Sequence, residues 1–289
     1  MGYAADGNGV IQPGQLVPLQ LPTGGIDPNP TTRAEIEMNL DSRKAVTLPA
    51  VAPMIDFANA NTYNNATSLT VYDAKGQDVA MSFYFQKSAN DQWNVYATAN
   101  GSSVGGTAAA PQPITTITFQ SNGSAPITPA APVSFDVPAS TNAVGAMTEP
   151  ITGMLFDLSG ATQFGSAYGV TDMRQDGYAS GLLSSVAVEP NGVIMARYSN
   201  GQSKPAGQLE LANFRNPQGL VPQGGNSWAK SYTSGDPVLG APGNGNLGVL
   251  QAGALEESNI DLTGELVSLI TAQRIYQANA QTIKTQDQV

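Results

Sequence analysis

The sequence predicts a mainly β chain of two all-β domains that ends in an amphipathic α-helix of coiled-coil type. Three observations carry that reading. Short runs rich in Val, Ile, Thr, Tyr and Phe recur between Gly, Asn and Pro turns. The stretch DLTGELVSLITAQRIYQANAQTIKTQDQ, Asp261 to Gln288, has no Pro and only Gly264 as a glycine. Within it Leu262, Leu266, Leu269, Gln273, Tyr276, Ala280 and Ile283 fall at alternating steps of four and three. That is the heptad seam of a helix that packs along another helix.

The elements follow in order. Residues 1–40 read as extended and turn-rich, with turn signals at Asp6-Gly7 and Asn8-Gly9. Leu16, Val17, Leu19 and Leu21 sit among Pro13, Pro18 and Pro22, which suits an edge strand. RAEIEMNL (33–40) alternates Ala34, Ile36, Met38 and Leu40 with polar residues, the pattern of a half-buried strand. Residues 44–60, around Pro49 and Pro53, read as a crossing between domains. TSLTVYD, the turn Ala74-Lys75-Gly76 and VAMSFYFQK form a predicted hairpin, with WNVYAT (93–98) as its third strand. ITTITF (114–119) runs into the turn Asn122-Gly123, and VSFDV lies among Pro126, Pro129, Pro132, Pro138 and Pro150.

From residue 166 a second β-set begins. LLSSVAVE (182–189) and VIMARYS (193–199) flank Pro190-Asn191-Gly192 as a hairpin, and GQLELANF (207–214) adds a strand. Residues 216–248 are a Gly/Asn/Pro loop around Trp228, too long for an ordinary connector and expected to lie extended over a surface. Asp261 is the expected N-cap of the helix and Glu265 lies near its positive end. At ~1.5 Å per residue the helix would be about 40 Å long. Val267, Ile270 and Arg274 mark a second flank, so contacts are expected on more than one side. Nothing else in the chain reads as a helix able to cover this one.

Composition narrows the function. The 289 residues carry a net charge of −10, which argues against nucleic acid or an anionic membrane as partner. Charged residues are 12% of the chain, about half the usual share, so Ser, Thr, Asn, Gln and Gly must cover the surface. There is no Cys and no His. Disulfides, zinc–thiolate sites, Ser-His-Asp triads and imidazole general bases are therefore excluded. No run of about 20 apolar residues exists to span a membrane. The start, MGYAADGNGV, lacks the basic and apolar regions of a secretory signal.

Each remaining chemical candidate has a plainer reading. Asp6-Gly7-Asn8-Gly9 lacks the spacing and closing Glu of a calcium loop and reads as a turn. Glu35 and Glu37 face one side of a strand as an acid/base pair would, but Asp41, Arg33 and Arg43 nearby make a solvated charged face. Glu256 and Glu257 are adjacent and point apart. Gly243-Asn244-Gly245-Asn246 is a loop without the context of a phosphate-binding motif. Tyr84, Trp93 and Tyr96 could form a sugar-binding face, though alternating strand aromatics read first as core or cross-strand pairs. No catalytic, cofactor-binding or metal-binding residue is assigned.

ALEESNIDLTGELVSLITAQRIYQANAQTIKTQDQ, Ala254 to Gln288, resembles the C-terminal signature of the bacterial flagellar axial proteins, the rod, hook and related subunits. GQLELANFRNPQGLVPQGGNSWAKSYTSGDPVLG and GNGNLGVLQAGALE resemble the segment before that helix in hook subunits. TSLTVYDAKGQDVAMSFYFQK resembles their outer β-domain, so the middle of the chain selects hook over rod. The resemblance covers most of the chain.

It implies a subunit exported unfolded through the flagellar secretion apparatus, without a cleaved signal peptide, to the extracellular hook. There it would polymerise with itself under a cap into a curved, flexible tube that passes motor torque to the filament. The distal rod protein, the hook cap and the hook–filament junction proteins are its implied partners, with no nucleic acid and no membrane insertion. Residues 1–43 plus 166–253 would form a discontinuous middle β-domain, 44–165 an outer domain inserted in it, and 254–289 the coiled-coil helix of the inner layer. The seam Leu262, Leu266, Leu269, Gln273, Tyr276, Ala280 and Ile283 would be the subunit interface there. The family's N-terminal helix has no counterpart in this sequence, so an N-terminally truncated piece with a fraying C-terminal helix is expected. A distal rod or hook-associated subunit, or a secreted carbohydrate-binding or adhesive β-protein, are the alternative readings.

Overall fold

The computed structural model describes residues 1–7, 9–14, 16–49, 52–255 and 260–286. The first part of the chain holds β1 (Gly2–Ala4), β2 (Arg33–Asn39), β3 (Asn65–Tyr72), β4 (Asp78–Ala89) and β5 (Gln92–Ala99). The short strands β6 (Ser102–Ser103), β7 (Gly106–Thr107) and β8 (Ala110–Pro111) precede β9 (Thr115–Phe119), β10 (Pro126–Thr128), β11 (Val133–Val137) and β12 (Ile151–Asp157). After β13 (Gly169–Gln175) come β14 (Leu183–Val188), β15 (Val193–Tyr198), β16 (Ser203–Leu209) and β17 (Leu211–Asn213). The small strands β18 (Val221–Gly224), β19 (Ser227–Ala229) and β20 (Val238–Gly240) lead to the helix α1 (Leu262–Gln286). The chain is mainly β, with α1 as the α-helix among the described residues.

Two sheets make a sandwich. One has the strand order β10-β9-β5-β4-β3, with β6 on β5, and the other β11-β12-β2-β13. The alternation in β4 sends Val79, Met81, Phe83 and Phe85 to one face, where all four are buried. The same period in β2 and just beyond it buries Ala34, Ile36, Met38 and Leu40. These two sets share one core. Phe83 of β4 stacks on Phe156 of β12 at 4.4 Å between ring centroids, which sets the two sheets face to face. The polar edge of the core is also paired. Trp93 Nε1 donates to Gln163 Oε1 at 3.0 Å, and Gln163 Nε2 donates to Asp91 Oδ1 at 3.0 Å. The buried Lys87 Nζ donates to the carbonyls of Ser42 and Lys44 at 2.6 and 3.0 Å.

β2 pairs in parallel with β12 and antiparallel with β13, joining segments far apart in sequence. The stretch after Pro53, read from sequence as part of a crossing between domains, lies back against the sheet. Gln86 Nε2 of β4 donates to the carbonyls of Met54 and Thr62, and the rings of Phe57 and Tyr63 lie on Tyr84 at 4.8 and 5.0 Å. Apolar side chains draw this segment back over the outer face of the sheet. Residues 26–29 and 178–181 run side by side, bridged at Ile26–Gly181 and Asn29–Tyr178.

A third sheet, β1-β16-β15-β14, contains the predicted hairpin. Its turn needs Gly192, whose φ is +82°. Beyond it, β17 pairs with β20 and β18 with β19. The segment predicted as one long loop thus carries its own short ladders, while most of its residues remain exposed.

Phe156→Ala is expected to remove roughly 3–5 kcal/mol of stability, because a buried ring is lost from both sheets at once. Leu155→Ala, on the outward side of the same strand, is expected to cost far less. Urea unfolding of the two variants measures the difference.

Candidate functional site

The helix is the feature that the other described residues leave exposed. Asp261 sits just before it, and its Oδ1 accepts from the backbone N–H of Thr263 at 3.0 Å, the predicted N-cap bond. Glu265 lies in the first turn and Lys284 in the last, each at the favourable end of the helix dipole. The hydroxyls of Thr271 and Thr282 donate to the carbonyls of Val267 and Ala278, one turn back along the helix.

The seven seam residues lie on α1 as predicted, and all are exposed. Leu262 is 74% exposed, Leu269 54% and Tyr276 77%, values of a side chain with no neighbour. Leu262, Leu266, Leu269 and Ala272 line an open apolar hollow of about 440 Å³. Val267 and Ile270 on the second flank, and Ile275, are also exposed. The arm before the helix adds more uncovered apolar surface. Trp228 of β19 is 62% exposed, and Tyr232, Val238, Val249 and Leu255 also face outward. The arm is nonetheless ordered: Ser231 Nα–H donates to Ser234 Oγ at 2.9 Å, and Ser227 Oγ to the Gly224 carbonyl at 2.6 Å.

The chemical candidates resolve into paired or buried groups. Glu35 and Glu37 both lie 3.8 Å from the guanidinium of Arg174, which also holds Asp172 at 2.8 Å. Arg174 was invisible to sequence spacing because it reaches Glu35 and Glu37 only through the β2–β13 pairing. Arg33 pairs with Asp157 and Arg43 with Asp41. Asp6 closes a turn, accepting from Val10 N–H at 2.8 Å, while Asn8 lies outside the described residues. Glu256 and Glu257 lie outside them too. Trp93 and Tyr96 are buried, and Tyr84 is covered by Phe57 and Tyr63, so these aromatics form no sugar-binding face. Among the described residues no group of three or more acidic side chains is placed to hold a metal ion.

The ion pairs set the response to pH. Hydrogen bonds from the Arg43 side chain and backbone hold Asp41 down to about 2. The backbone N–H of Ser159, with a smaller part from Arg33, lowers Asp157 against its burial. Burial works to raise Asp176, but the Thr32 hydroxyl and the N–H groups of Arg33 and Thr32 outweigh it and leave it lowered. A carboxylate with a lowered folded pKa contributes stability that is complete above its unfolded value, about 3.9, and is lost as pH falls through the folded value. With no His or Cys, no side chain of ordinary pKa titrates between about pH 5.5 and 7.5. The Tm is therefore expected to stay flat from about pH 6 to 7.5 and to fall below about pH 4. Thermal scans across that range check it.

Comparison with known proteins agrees with this architecture. Residues 39–178 match the family described as flagellar basal body protein FlaE D2 domain. Residues 251–289 match the flagellar basal body rod FlgEFG protein C-terminal family. The class is therefore that of the structural proteins of the flagellar rod and hook. The flagellar hook protein FlgE of Escherichia coli K12 is 38% identical over 294 residues, covering 100% of this chain and 69% of the relative. That of Salmonella typhimurium LT2 is 38% identical over 290 residues, with the same coverage. The crystal structure of Helicobacter pylori flagellar hook protein FlgE2 aligns at a TM-score of 0.43 and 22% identity, over 61% of this chain and 39% of that one. The chain belongs to the flagellar hook protein family, as a structural subunit of the bacterial flagellum. No helix among the described residues is long and apolar enough to cross a membrane.

Proposed function

We propose that this subunit polymerises with copies of itself through α1 into the curved, flexible tube of the hook, which passes motor torque to the filament. One observation carries the reading: a capped helix of 25 residues whose apolar seam is left exposed by the described residues of its own chain. A helix this exposed is marginal in water, and most helical stability in proteins comes from packing an apolar face. Leu262, Leu266, Leu269, Gln273, Tyr276, Ala280 and Ile283 are the interface in this reading. The apolar second flank supports contact with more than one neighbour.

The domain division belongs to the same proposal. Residues 44–165 form the core of an outer unit inserted into a middle unit of 1–43 plus 166–253, with 254–289 in the inner layer. The common core of β2, β12 and β13 favours drawing β2 and β13 into the outer unit, so that the chain crosses near Asn29 and Tyr178. Sparse charge, 12% of residues, suits copies that slide past one another as the tube turns. The distal rod, the cap, the junction proteins and the export apparatus are the further partners of this reading. Its role is structural and not enzymatic.

Leu269→Glu puts a charge into the seam, and Thr271→Glu puts the same charge on the opposite side of α1. The first is expected to weaken self-association at least tenfold, since burying one Leu stabilises by roughly 1.5–3 kcal/mol. The second is expected to leave association near that of the unaltered chain. Sedimentation of concentrated protein measures both, and equal loss in the two variants would contradict the seam.

A further inference from the structure

The chain contains six Asn-Gly pairs, at Asn8, Asn100, Asn122, Asn191, Asn200 and Asn244. Such a pair can close a ring on itself. The backbone nitrogen of the glycine attacks Cγ of the asparagine, the Cγ–Nδ2 bond breaks, and ammonia leaves with the amide proton. The cyclic imide then takes up water at either carbonyl and opens to aspartate or, with the chain rerouted through the side chain, to isoaspartate. Neither step needs an oxidant or any cofactor. Glycine allows it because no side chain hinders the attacking nitrogen. The step does require a free side-chain amide and a free backbone N–H, able to rotate together.

Three described pairs lack both freedoms. At Asn122 the side-chain Oδ1 accepts from Ser124 N–H and Oγ at 3.1 and 2.8 Å, and Gly123 N–H is bound to the Gln120 carbonyl at 2.8 Å. At Asn191 the Oδ1 accepts from Val193 N–H at 3.0 Å, and Gly192 N–H is bound to the Glu189 carbonyl at 2.8 Å. At Asn200 the Oδ1 accepts from Gln202 N–H at 3.1 Å and Nδ2 donates to the Ala179 carbonyl at 2.7 Å, while Gly201 N–H is bound to the Tyr198 carbonyl at 3.1 Å. Asn100 is held at both ends of its amide, by Ala80 N–H at 2.9 Å and by Ser140 Oγ at 2.9 Å.

Asn244-Gly245 differs. Both residues are exposed, in the turn between β20 and α1. The turn is closed by other groups: Gly243 N–H bonds the Gly248 carbonyl at 3.0 Å, and Leu247 N–H bonds the Asn244 carbonyl at 3.0 Å. Among the described residues nothing holds the Asn244 side-chain amide or the Gly245 N–H, and the space where a side chain on Gly245 would stand is open. We propose that Asn244-Gly245 is a self-modifying site of this chain, where deamidation adds a negative charge and an isoaspartyl link in the segment between β20 and α1.

The test is to incubate the full native chain at mildly alkaline pH in water enriched in oxygen-18. Peptide mapping then follows each Asn-Gly peptide as the amide NH₂ is replaced by labelled oxygen, and fragmentation separates aspartate from isoaspartate. A second sample in urea gives the rates of the same pairs without structure. Asn244 is expected to react about tenfold faster than Asn122, Asn191 and Asn200 in the native chain, the rate equivalent of about 1.4 kcal/mol for the hydrogen bonds those pairs must break. In urea the four should converge. Gly245→Ala is expected to slow the reaction at residue 244 alone, in native chain and urea alike, because its methyl group hinders the attacking nitrogen. Native rates at Asn122, Asn191 or Asn200 that equal or exceed that at Asn244 would overturn the proposal.

Discussion

The seam of α1 is exposed, and among the described residues nothing covers it. Leu262, Leu266, Leu269, Tyr276 and Ile283 stand in solvent along one side of a helix, and hydrogen bonds within a helix do not by themselves hold it in water. The cap at Asp261 and the charges of Glu265 and Lys284 settle where the helix runs and ends. They add tenths of a kcal/mol to about 1 kcal/mol each, well short of what burying the seam would contribute. In the proposed assembly, contacts with neighbouring copies supply the rest of this element's stability.

The β-structure shows the opposite economy. Phe83 on Phe156, Trp93 on Gln163 and Lys87 on the carbonyls of Ser42 and Lys44 leave the sandwich closed upon itself. Its charges are few and mostly paired, as at Arg174 and Arg43. The helix and the arm around Trp228 show no such closure among the described residues: their apolar side chains stand in solvent.

Much of this was legible in the residues. The alternation Ala34, Ile36, Met38, Leu40 marked β2, the turn at Lys75-Gly76 marked the β3–β4 hairpin, and the heptad steps marked α1 nearly to its ends. These signals are local, since each reports the face of one element. Pairing between distant segments left no such trace. The parallel ladder of β2 with β12 joins residues more than a hundred positions apart, and β12 itself was missed behind a run of prolines. The same distance hid Arg174 from Glu35 and Glu37. The packing of the stretch after Pro53 on the sheet could not be read, because its apolar residues, Ile55 and Phe57, have no periodicity to show which surface they cover. The helical seam could be named from sequence because its heptad steps place the seven residues on one face of the helix. Its exposure could not, since that depends on where every other element lies.

Amide hydrogen exchange across residues 262–286, in dilute protein and again in the assembled state, tests the central claim most directly. The account predicts weak protection of the helix when dilute and strong protection on assembly, with β4 and β5 protected throughout. Strong protection of the helix in the dilute monomer would contradict it, because the seam would then have found its cover within one chain.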